Sequence, residues 1–487
     1  MSAAQRLAVP AAATALVVLT AAGFGLVPPL HHAWATNLWQ YLPLPLSLLL
    51  AAATLALCWP PARRALLARV PDGIGARVLP DGPLGTVALA IAAAIVLWLV
   101  RERRMYGDSN ILLYNAAAGS AFLFPDIGAT FLFQLCQRVA SALGTSGQSV
   151  LQIAVSVAGG TTIALFARIA RMLAPDAGRA LLLLVLVLGG GLARVLAGHV
   201  EVYAFVLLCA AVYFRAALAC LDDDAPVWKP ALAFGFGLWM HLSFSFLAPS
   251  LLLVVLLSCK GELGAMPGTV LRAALVAALP VTVFLVAMGV IGHTAELAQA
   301  LETLKRWGGL EPSPVGHEAF LRSPFAASGT GTRYAILSAG HVKYFANAFF
   351  VLAPASLPIL ACFLLLAPLR FVASRDVVFL GVASLFMVLY ALVVRPVWGP
   401  YDWDLFSLTA VSLATLAATL LVRALADPPL RELGVLLVLG TLLLVTLPFV
   451  AIGIAPRHAA GPFAYGVESA PGESPVDAFE RNLGPWL

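Results

Sequence analysis

The chain has 487 residues, of which 61% are hydrophobic and only 11% are charged. That composition excludes a water-soluble domain, because a soluble protein has no use for so much continuous apolar surface. The net charge of +5 lies mostly in arginines between the apolar runs, so it indicates membrane topology rather than nucleic-acid binding. The six cysteines form no CxxC pair and give no sign of a disulfide framework.

The apolar runs predict an all-α, polytopic transmembrane helical bundle, because they are continuous and do not alternate with polar residues as barrel strands do. A crossing helix needs roughly 20 apolar residues, which gives about 13 spans. The first run is interpreted as a retained span, since no small-residue cleavage pattern follows it. We place the spans at about 7–27, 42–58, 84–100, 149–172, 179–197, 202–220, 230–241, 243–258, 272–291, 345–367, 377–395, 406–423 and 433–453.

Basic residues recur in alternate loops, which predicts a cytoplasmic N-terminus. The stretch 230–258 is too long for one span and short for two, so we interpret it as two short helices that meet near His241. The alternative is a single tilted helix, which would invert the topology downstream. On this topology two large loops lie on the outer side of the membrane. They are 101–148, which contains interfacial helices, and 292–344.

The chain divides into four parts on this topology. Two additional spans precede a core that contains both large outer loops, and further helices and an outer-face tail follow it. The boundaries are 1–83, 84–345, 346–454 and 455–487.

Three arginines stand directly beyond the span that opens the core, against the usual cytoplasmic excess of basic residues. A guanidinium group binds phosphate through two parallel hydrogen bonds. Arg101, Arg103 and Arg104 are therefore candidates for binding a donor phosphate. The alternative is that they reach anionic lipid head groups.

Asp108 follows Gly107 in the same loop and could act as a general base or position a substrate. It could equally cap the helix that follows, and both roles are compatible. Tyr106 is a candidate contact for a sugar or an acceptor. Asp126 is interpreted as the cap of an interfacial helix.

A second candidate element lies at residues 198–203, between two spans at the outer boundary. On a helix, His199 and Tyr203 would share a face. Glu201 is costly beside an apolar segment unless it is paired, and Arg194 is a nearby partner. A substrate contact and an ion pair that closes a tight turn both remain open. His241 is a further candidate for contact with sugar or acceptor.

A third element, residues 395–404, combines two carboxylates, two tryptophans, a tyrosine and an arginine. Asp402, Trp403 and Asp404 are candidates for binding sugar or acceptor, because aromatic faces stack on sugar rings and carboxylates accept hydroxyl hydrogen bonds. An interfacial aromatic belt would account for the tryptophans but not for the carboxylates. A divalent cation is compatible with them, but two carboxylates are no strong motif, so we predict neither metal nor cofactor.

The outer loop 292–344 is long for a compact protein, and such loops are often functional lids. It carries Lys305 and Arg306, which we interpret as further donor-phosphate contacts.

Together these features resemble the GT-C superfamily of membrane glycosyltransferases, over about residues 84–345. Asp108 matches the position and type of the essential acidic residue that the family carries in its first outer loop. The helix pair at 230–258 and the loop 292–344 resemble the family's short paired helices and flexible outer loop. Ser109 stands where many members have a second acidic residue, which favours a metal-independent site.

The resemblance implies an inverting glycosyltransferase, transferring a hexose or pentose, in a bacterial inner membrane. It would move the sugar from a polyprenyl-phosphate donor to a glycan, lipid or protein acceptor on the periplasmic face. The alternative is a transporter or flippase for a lipid-linked or small polar substrate. Transporters tend to show internal repeats, and none is clear here. No nucleotide-binding or soluble-hydrolase motif is present, so ATP-driven work is not expected.

Overall fold

The computed structural model describes most of the helical core and parts of the loops. The described residues are 3–27, 35–36, 38–69, 73–103, 109–117, 126–222, 225–259, 262, 264–295, 298, 302, 339–366, 374–394, 399–424 and 429–454. The predicted tail 455–487 and most of the predicted lid 292–344 lie outside them.

The described residues are helical and contain no β-strand, as the apolar runs predict. Short 3₁₀ turns lie at Leu38–Tyr41, Leu242–Leu247 and Gly399–Phe406, and a π turn lies at Leu442–Thr446. The α-helices are α1 (Ala3–Gly23), α2 (Leu44–Cys58), α3 (Pro60–Leu67), α4 (Ile74–Val78), α5 (Pro83–Leu99), α6 (Ser109–Ala117), α7 (Ile127–Ala142), α8 (Gly147–Leu173), α9 (Ala177–Leu188), α10 (Leu192–Leu196), α11 (Tyr203–Asp222), α12 (Trp228–Met240), α13 (Ala248–Ser258), α14 (Met266–Val290), α15 (Ala339–Leu352), α16 (Ser356–Leu366), α17 (Arg375–Val393), α18 (Ser407–Ala424), α19 (Pro429–Thr441) and α20 (Leu447–Ile454).

Within the described residues, six helical segments are long and apolar enough to cross a membrane. A seventh is added if α2 and α3, which are bent by 88°, are counted as one span. Shorter apolar helices accompany them, including α5 and α9. The protein is therefore an integral membrane protein. The predicted count of about 13 spans is not confirmed, because several of the predicted spans are helices shorter than the roughly 20 apolar residues that a crossing helix needs.

Two of the predicted spans are each broken into two helices. The run 179–197 is interrupted at three glycines after α9, where Gly190 has a φ of 76°. The Gly191 amide there donates to the Val351 carbonyl at 2.6 Å. A side chain at Gly190 would collide with the Leu352 carbonyl. The run 345–367 is interrupted before α16 at Pro354, which lacks an amide hydrogen and cannot continue a helix.

The predicted pair of short helices at 230–258 is confirmed. His241 has extended backbone angles (φ −158°, ψ 133°), and its Nδ1 accepts from the Ser243 amide at 2.9 Å. Along α11, the Tyr213 hydroxyl meets Ser250 at 2.7 Å and Cys220 Sγ lies 3.2 Å from Ser258 Oγ. Helix α13 therefore runs in the same direction as α11, and α12 runs back between them.

Loops that were predicted to lie on the cytoplasmic side gather at one end of the bundle. Arg423 donates to the Leu173 carbonyl at 3.0 Å, and Arg179 donates to the Val422 carbonyl at 2.9 Å. Both guanidinium groups reach the C-terminal turn of another helix, α8 or α18, where the helix dipole favours positive charge. Arg171 pairs with Asp81 at 2.7 Å in the same region. The acidic groups of the candidate site lie at the opposite ends of α5, α7, α11 and α18.

Helices α5 and α8 touch backbone to backbone, and this contact positions both sides of that site. A Cβ atom at Gly160 would lie 2.3 Å from the Ala90 carbonyl oxygen and 2.6 Å from the Ala94 nitrogen. Neither backbone atom can turn away as a flexible side chain could. The residue must therefore be glycine for the helices to approach this closely.

We expect Gly160→Ala to lower the stability of the purified protein by about 1–3 kcal/mol, because the added methyl group overpacks the α5–α8 contact. Thermal unfolding in detergent measures the effect. Gly381→Ala in α17 is the matched control, since a Cβ atom there meets nothing within 4 Å. Equal melting temperatures for the two variants would contradict the close helix contact.

Candidate functional site

The centre of the candidate site is the carboxylate of Glu102, just beyond the end of α5. Its Oε1 accepts from Arg194 at 2.7 Å, and its Oε2 accepts from His199 Nδ1. The side chains of all three residues are 2% exposed. Burial would raise the pKa of Glu102, but the charges of Arg194 and His199 hold it below its ordinary value. Glu102 is thus an ionised, fully paired buried acid.

The backbone around Glu102 joins three separate elements. Its amide donates to the Ala197 carbonyl at 2.9 Å, and its carbonyl accepts from the Gln152 side chain at 2.7 Å. Gly198 has a φ of 65°, and a Cβ atom there would lie 2.7 Å from Arg101 Cβ. A glycine is therefore needed for the 198–203 loop to reach the end of α5.

His199 connects Glu102 to a second carboxylate. Its Nε2 donates to Asp404 Oδ2 at 2.9 Å, so both ring nitrogens face carboxylate oxygens. Burial would lower the pKa of His199, but Glu102 and Asp404 raise it to about 9. The two carboxylates therefore favour the protonated form of His199.

Trp403 and Phe449 form an apolar support beneath this network. The Arg194 guanidinium lies 4.4 Å from the Phe449 ring centroid and 5.4 Å from that of Trp403. The Trp403 ring also lies 5.3 Å from the His199 ring, centroid to centroid. Trp403 is buried, so its observed contacts are with protein groups, and the predicted stacking on a sugar stays a prediction.

A second group, made of His241, Asp126 and Tyr203, adjoins the first. His241 Nε2 lies 3.0 Å from Asp126 Oδ1, although the two are not aligned as a hydrogen bond. The Tyr203 ring lies 5.6 Å from the His241 ring, centroid to centroid. Tyr203 also experiences the charges of Asp404, Asp126 and Glu201. It therefore stands between the two groups.

The structure brings most of the predicted site residues to one end of the bundle. His199, Glu201, Tyr203, His241, Trp403 and Asp404 lie there together. Arg104, Tyr106, Asp108, Lys305, Arg306 and the Asp402 side chain lie outside the described part of the chain.

The two described arginines of the first outer loop show contacts within the protein. Arg101 donates to the Trp98 carbonyl at 3.0 Å and covers the Trp98 ring at 3.8 Å. The Arg103 amide donates to the Gly453 carbonyl at 3.1 Å, and its side chain is exposed. Their predicted role in binding phosphate stays a prediction.

Two expectations about individual residues need correction. His199 lies in a loop and not on a helix, because α11 begins only at Tyr203. Asp126 stands at the N-cap position of α7, but its side chain makes no cap hydrogen bond and faces His241 instead. Arg194 forms a buried ion pair with Glu102, and its predicted pair with Glu201 stays a prediction.

Two residues of the candidate site are not among the site residues predicted from the sequence. Glu102 lay within a run of arginines, and Asp126 was assigned to a cap. The available signal was that each is an acidic residue at the boundary of an apolar segment, where a charge must find a partner.

His199, Glu201 and Asp404 could together hold a metal ion. One ligand atom from each lies within 4.8 Å of the others, and all three residues are buried. Among the residues that the structure describes, no other group of three or more His, Cys, Asp and Glu side chains has the spacing of a metal site.

Comparisons with known proteins add a weak likeness of fold. No protein-family model and no curated protein matches the sequence. One solved structure that the chain resembles is ArnT from Cupriavidus metallidurans bound to undecaprenyl phosphate, at 16% identity and a TM-score of 0.45. The likeness covers 71% of this chain and only 61% of that one. At this level it carries no weight for function, which depends on this chain's own residues.

We expect Glu102→Gln to destabilise the protein by about 3–5 kcal/mol, because it leaves Arg194 and His199 buried without their shared countercharge. Asp176→Asn is the matched control. It removes the charge of the exposed Asp176 beside Arg179, asparagine still caps α9, and pairs with a solvent-exposed partner contribute roughly 0–1 kcal/mol. Unfolding in mixed micelles measures both variants. Equal effects would contradict the central role of Glu102.

Asp126 is expected to titrate near neutral pH, because burial raises its pKa to about 7. The infrared carbonyl band of a protonated carboxyl group should decrease as the pH rises through about 7. The part of this carbonyl band that changes with pH should be missing in the Asp126→Asn variant. Since the folded state holds this proton more tightly than the unfolded chain does, the contribution of the protonated acid to stability is fully present below the ordinary pKa of 3.8. It is lost as the pH rises from there to about 7, and it changes no further above that pH. A band unaffected by the substitution would contradict the assignment.

Proposed function

We propose that the protein is an inverting glycosyltransferase that uses a polyprenyl-phosphate-linked sugar on the non-cytoplasmic face of the membrane. The observation that carries the proposal is the convergence of Glu102, His199, Glu201, Asp404 and the His241–Asp126 pair at one end of an otherwise apolar bundle. Charged groups inside membrane proteins are costly and are typically retained for function.

Asp108 is the proposed general base. It adjoins Ser109, the buried first residue of α6, and follows the Glu102 segment by only a few residues. As the acceptor hydroxyl attacks the anomeric carbon, the bond from that carbon to the phosphate oxygen breaks, and Asp108 takes the hydroxyl proton. A single displacement of this kind inverts the anomeric configuration.

Basic residues would stabilise the charge that develops on the departing lipid phosphate. This role is assigned to Arg101, Arg103, Arg104, Lys305 and Arg306. The exposed Arg103 is the described member that a head group can approach most directly.

The remaining site residues are assigned to the sugar and the acceptor. Asp126 is the most open of the paired acids, with its side chain 20% exposed against 7% for Asp404 and 2% for Glu102. A hydroxyl group can therefore reach Asp126 most easily, and Tyr203 and His241 adjoin it. Tyr106, His199, Glu201, Asp402, Trp403 and Asp404 complete the proposed pocket.

We expect Asp108→Asn to lower the rate of sugar transfer by a factor of about 10²–10⁴, since the amide cannot accept a proton. Wild type and variant are reconstituted in vesicles with radiolabelled polyprenyl-phosphate sugars and a membrane extract as the acceptor source. Asp81→Asn is the control, because Asp81 is exposed and pairs with Arg171 at the opposite end of the bundle.

Two other outcomes would contradict parts of this account. Transfer that is unaffected by Asp108→Asn would keep the reaction but move the base to another acid, such as Asp402 or Asp404. Labelled lipid that crosses the vesicle wall without any sugar transfer would replace the transferase by a transporter.

A further inference from the structure

We propose that His199, Glu201 and Asp404 bind a divalent transition-metal ion. The sequence alone gives no strong motif for such a site, because Asp404 lies 205 residues beyond His199. The folded chain brings one imidazole nitrogen and two carboxylate oxygens within 4.8 Å of one another. All three side chains belong to buried residues, unlike the exposed acidic clusters that are common on protein surfaces.

The spacing of the donor atoms suits a shared ion. Metal bonds to histidine nitrogen and carboxylate oxygen are about 2.0–2.2 Å long, so ligand atoms around one ion stand roughly 3–4 Å apart. His199 Nε2 lies 2.9 Å from Asp404 Oδ2, and the Glu201 oxygen completes the group.

The loop that supplies two of the ligands is held by contacts of its own backbone. The Glu201 amide donates to the His199 carbonyl at 2.9 Å and closes a three-residue turn. The turn begins at Gly198, whose left-handed backbone is packed against Arg101. The third ligand, Asp404, lies in the 3₁₀ turn before α18, where the Ser407 hydroxyl donates to its carbonyl at 2.6 Å.

Glu102 supplies the outer-shell partner that metal-binding histidines usually have. It accepts a hydrogen bond from His199 Nδ1, which fixes the ring and directs Nε2 toward Asp404 and Glu201. Such a carboxylate–histidine pair sets the tautomer and increases the basicity of the metal-binding nitrogen. When the ion binds, it takes the place of the proton on Nε2, and that proton is released to solvent.

The charges also favour a cation at this position. Glu201 and Asp404 bring two carboxylates within 4.8 Å of each other and of a His199 ring nitrogen at a buried site, and the His199 proton meets Asp404 there. A divalent ion that replaces this proton brings one more positive charge to the same carboxylates. One nitrogen and two oxygens are a donor set for Zn²⁺ or Mn²⁺ rather than for Mg²⁺ or Ca²⁺, which prefer oxygen alone.

Three protein ligands leave a coordination position open, as in catalytic metal sites. An oxygen of the acceptor or of the donor phosphate could occupy it. This use of the ion rests on the proposed transferase function, whereas the binding of the ion does not.

The test is the metal content of the full-length protein, purified in detergent with a tag that contains no histidine. Elemental analysis should find about one transition-metal ion per chain. After removal with a chelator, titration with Zn²⁺ or Mn²⁺ should restore the ion and raise the melting temperature, and Mg²⁺ should not. Absence of binding to the wild type in both experiments would overturn the proposal, leaving His199 as an imidazolium between carboxylates.

Variants locate the ion. Asp404→Asn and His199→Gln should each weaken binding at least tenfold, and Glu102→Gln should weaken it by about 10–100-fold through the outer shell. His293→Gln, at the end of α14 and outside the cluster, is the control and should bind like wild type. A second measurement does not depend on the folding of any variant.

The visible absorption of the Co²⁺-substituted wild type reports whether nitrogen and oxygen ligands surround the ion. A spectrum of fully hydrated Co²⁺, or unchanged metal binding in all folded variants, would contradict the site.

The two proposals fail in different ways. Metal bound without sugar transfer would refute the transferase and keep the site. Sugar transfer by a metal-free protein with no affinity for Zn²⁺ or Mn²⁺ would refute the site and keep the transferase.

Discussion

The structure depends most on one buried charge, the carboxylate of Glu102. A carboxylate removed from water at the edge of a membrane protein is tolerated only when its oxygens are paired. Arg194 pairs with one oxygen and His199 with the other, and His199 continues to Asp404. The end of α5, the loop before α11 and the turn before α18 must therefore come together. The same requirement makes the ligands of the candidate site converge.

Two features of the backbone allow this convergence. Gly160 lets α5 and α8 touch, so that Gln152 reaches the Glu102 carbonyl. The reversal at His241 places an imidazole beside Tyr203 and Asp126, where an unbroken helix would have presented apolar side chains. Tyr203 then separates an inner, fully buried ionic group from a more open one. That arrangement suits a site in which the buried group fixes geometry and the open group meets substrate.

The sequence predicts the helical class and most helix positions well, because lipid-facing helices must be continuous apolar runs. The reversal at His241 was also predictable, since polar residues interrupt an overlong run there. The breaks at Gly190 and Pro354 were missed, although glycine and proline are the residues that permit them. Hydropathy averaged over a window does not register one or two such residues.

The site was predictable only in part. His199, Glu201 and Asp404 were identified because polar groups at a membrane boundary are conspicuous. Glu102 was not, since its partners lie far along the chain and its immediate neighbours are arginines that suggested a phosphate contact. Asp126 was assigned to its nearest helix for the same reason. The sequence indicates which partners lie nearby along the chain. Glu102 and Asp126 instead pair with residues that only the folded bundle brings close.

A double-mutant cycle on the buried pair tests the central role of Glu102 most directly. Glu102→Gln, Arg194→Met and the double variant are unfolded in mixed micelles, and their free energies of unfolding are compared with that of wild type. The account predicts a coupling energy of about 1–3 kcal/mol, so that the double variant is less destabilised than the sum of the two single variants by that amount, as expected for residues that share one interaction. Effects that simply add would show that the two residues act independently, which would contradict the account.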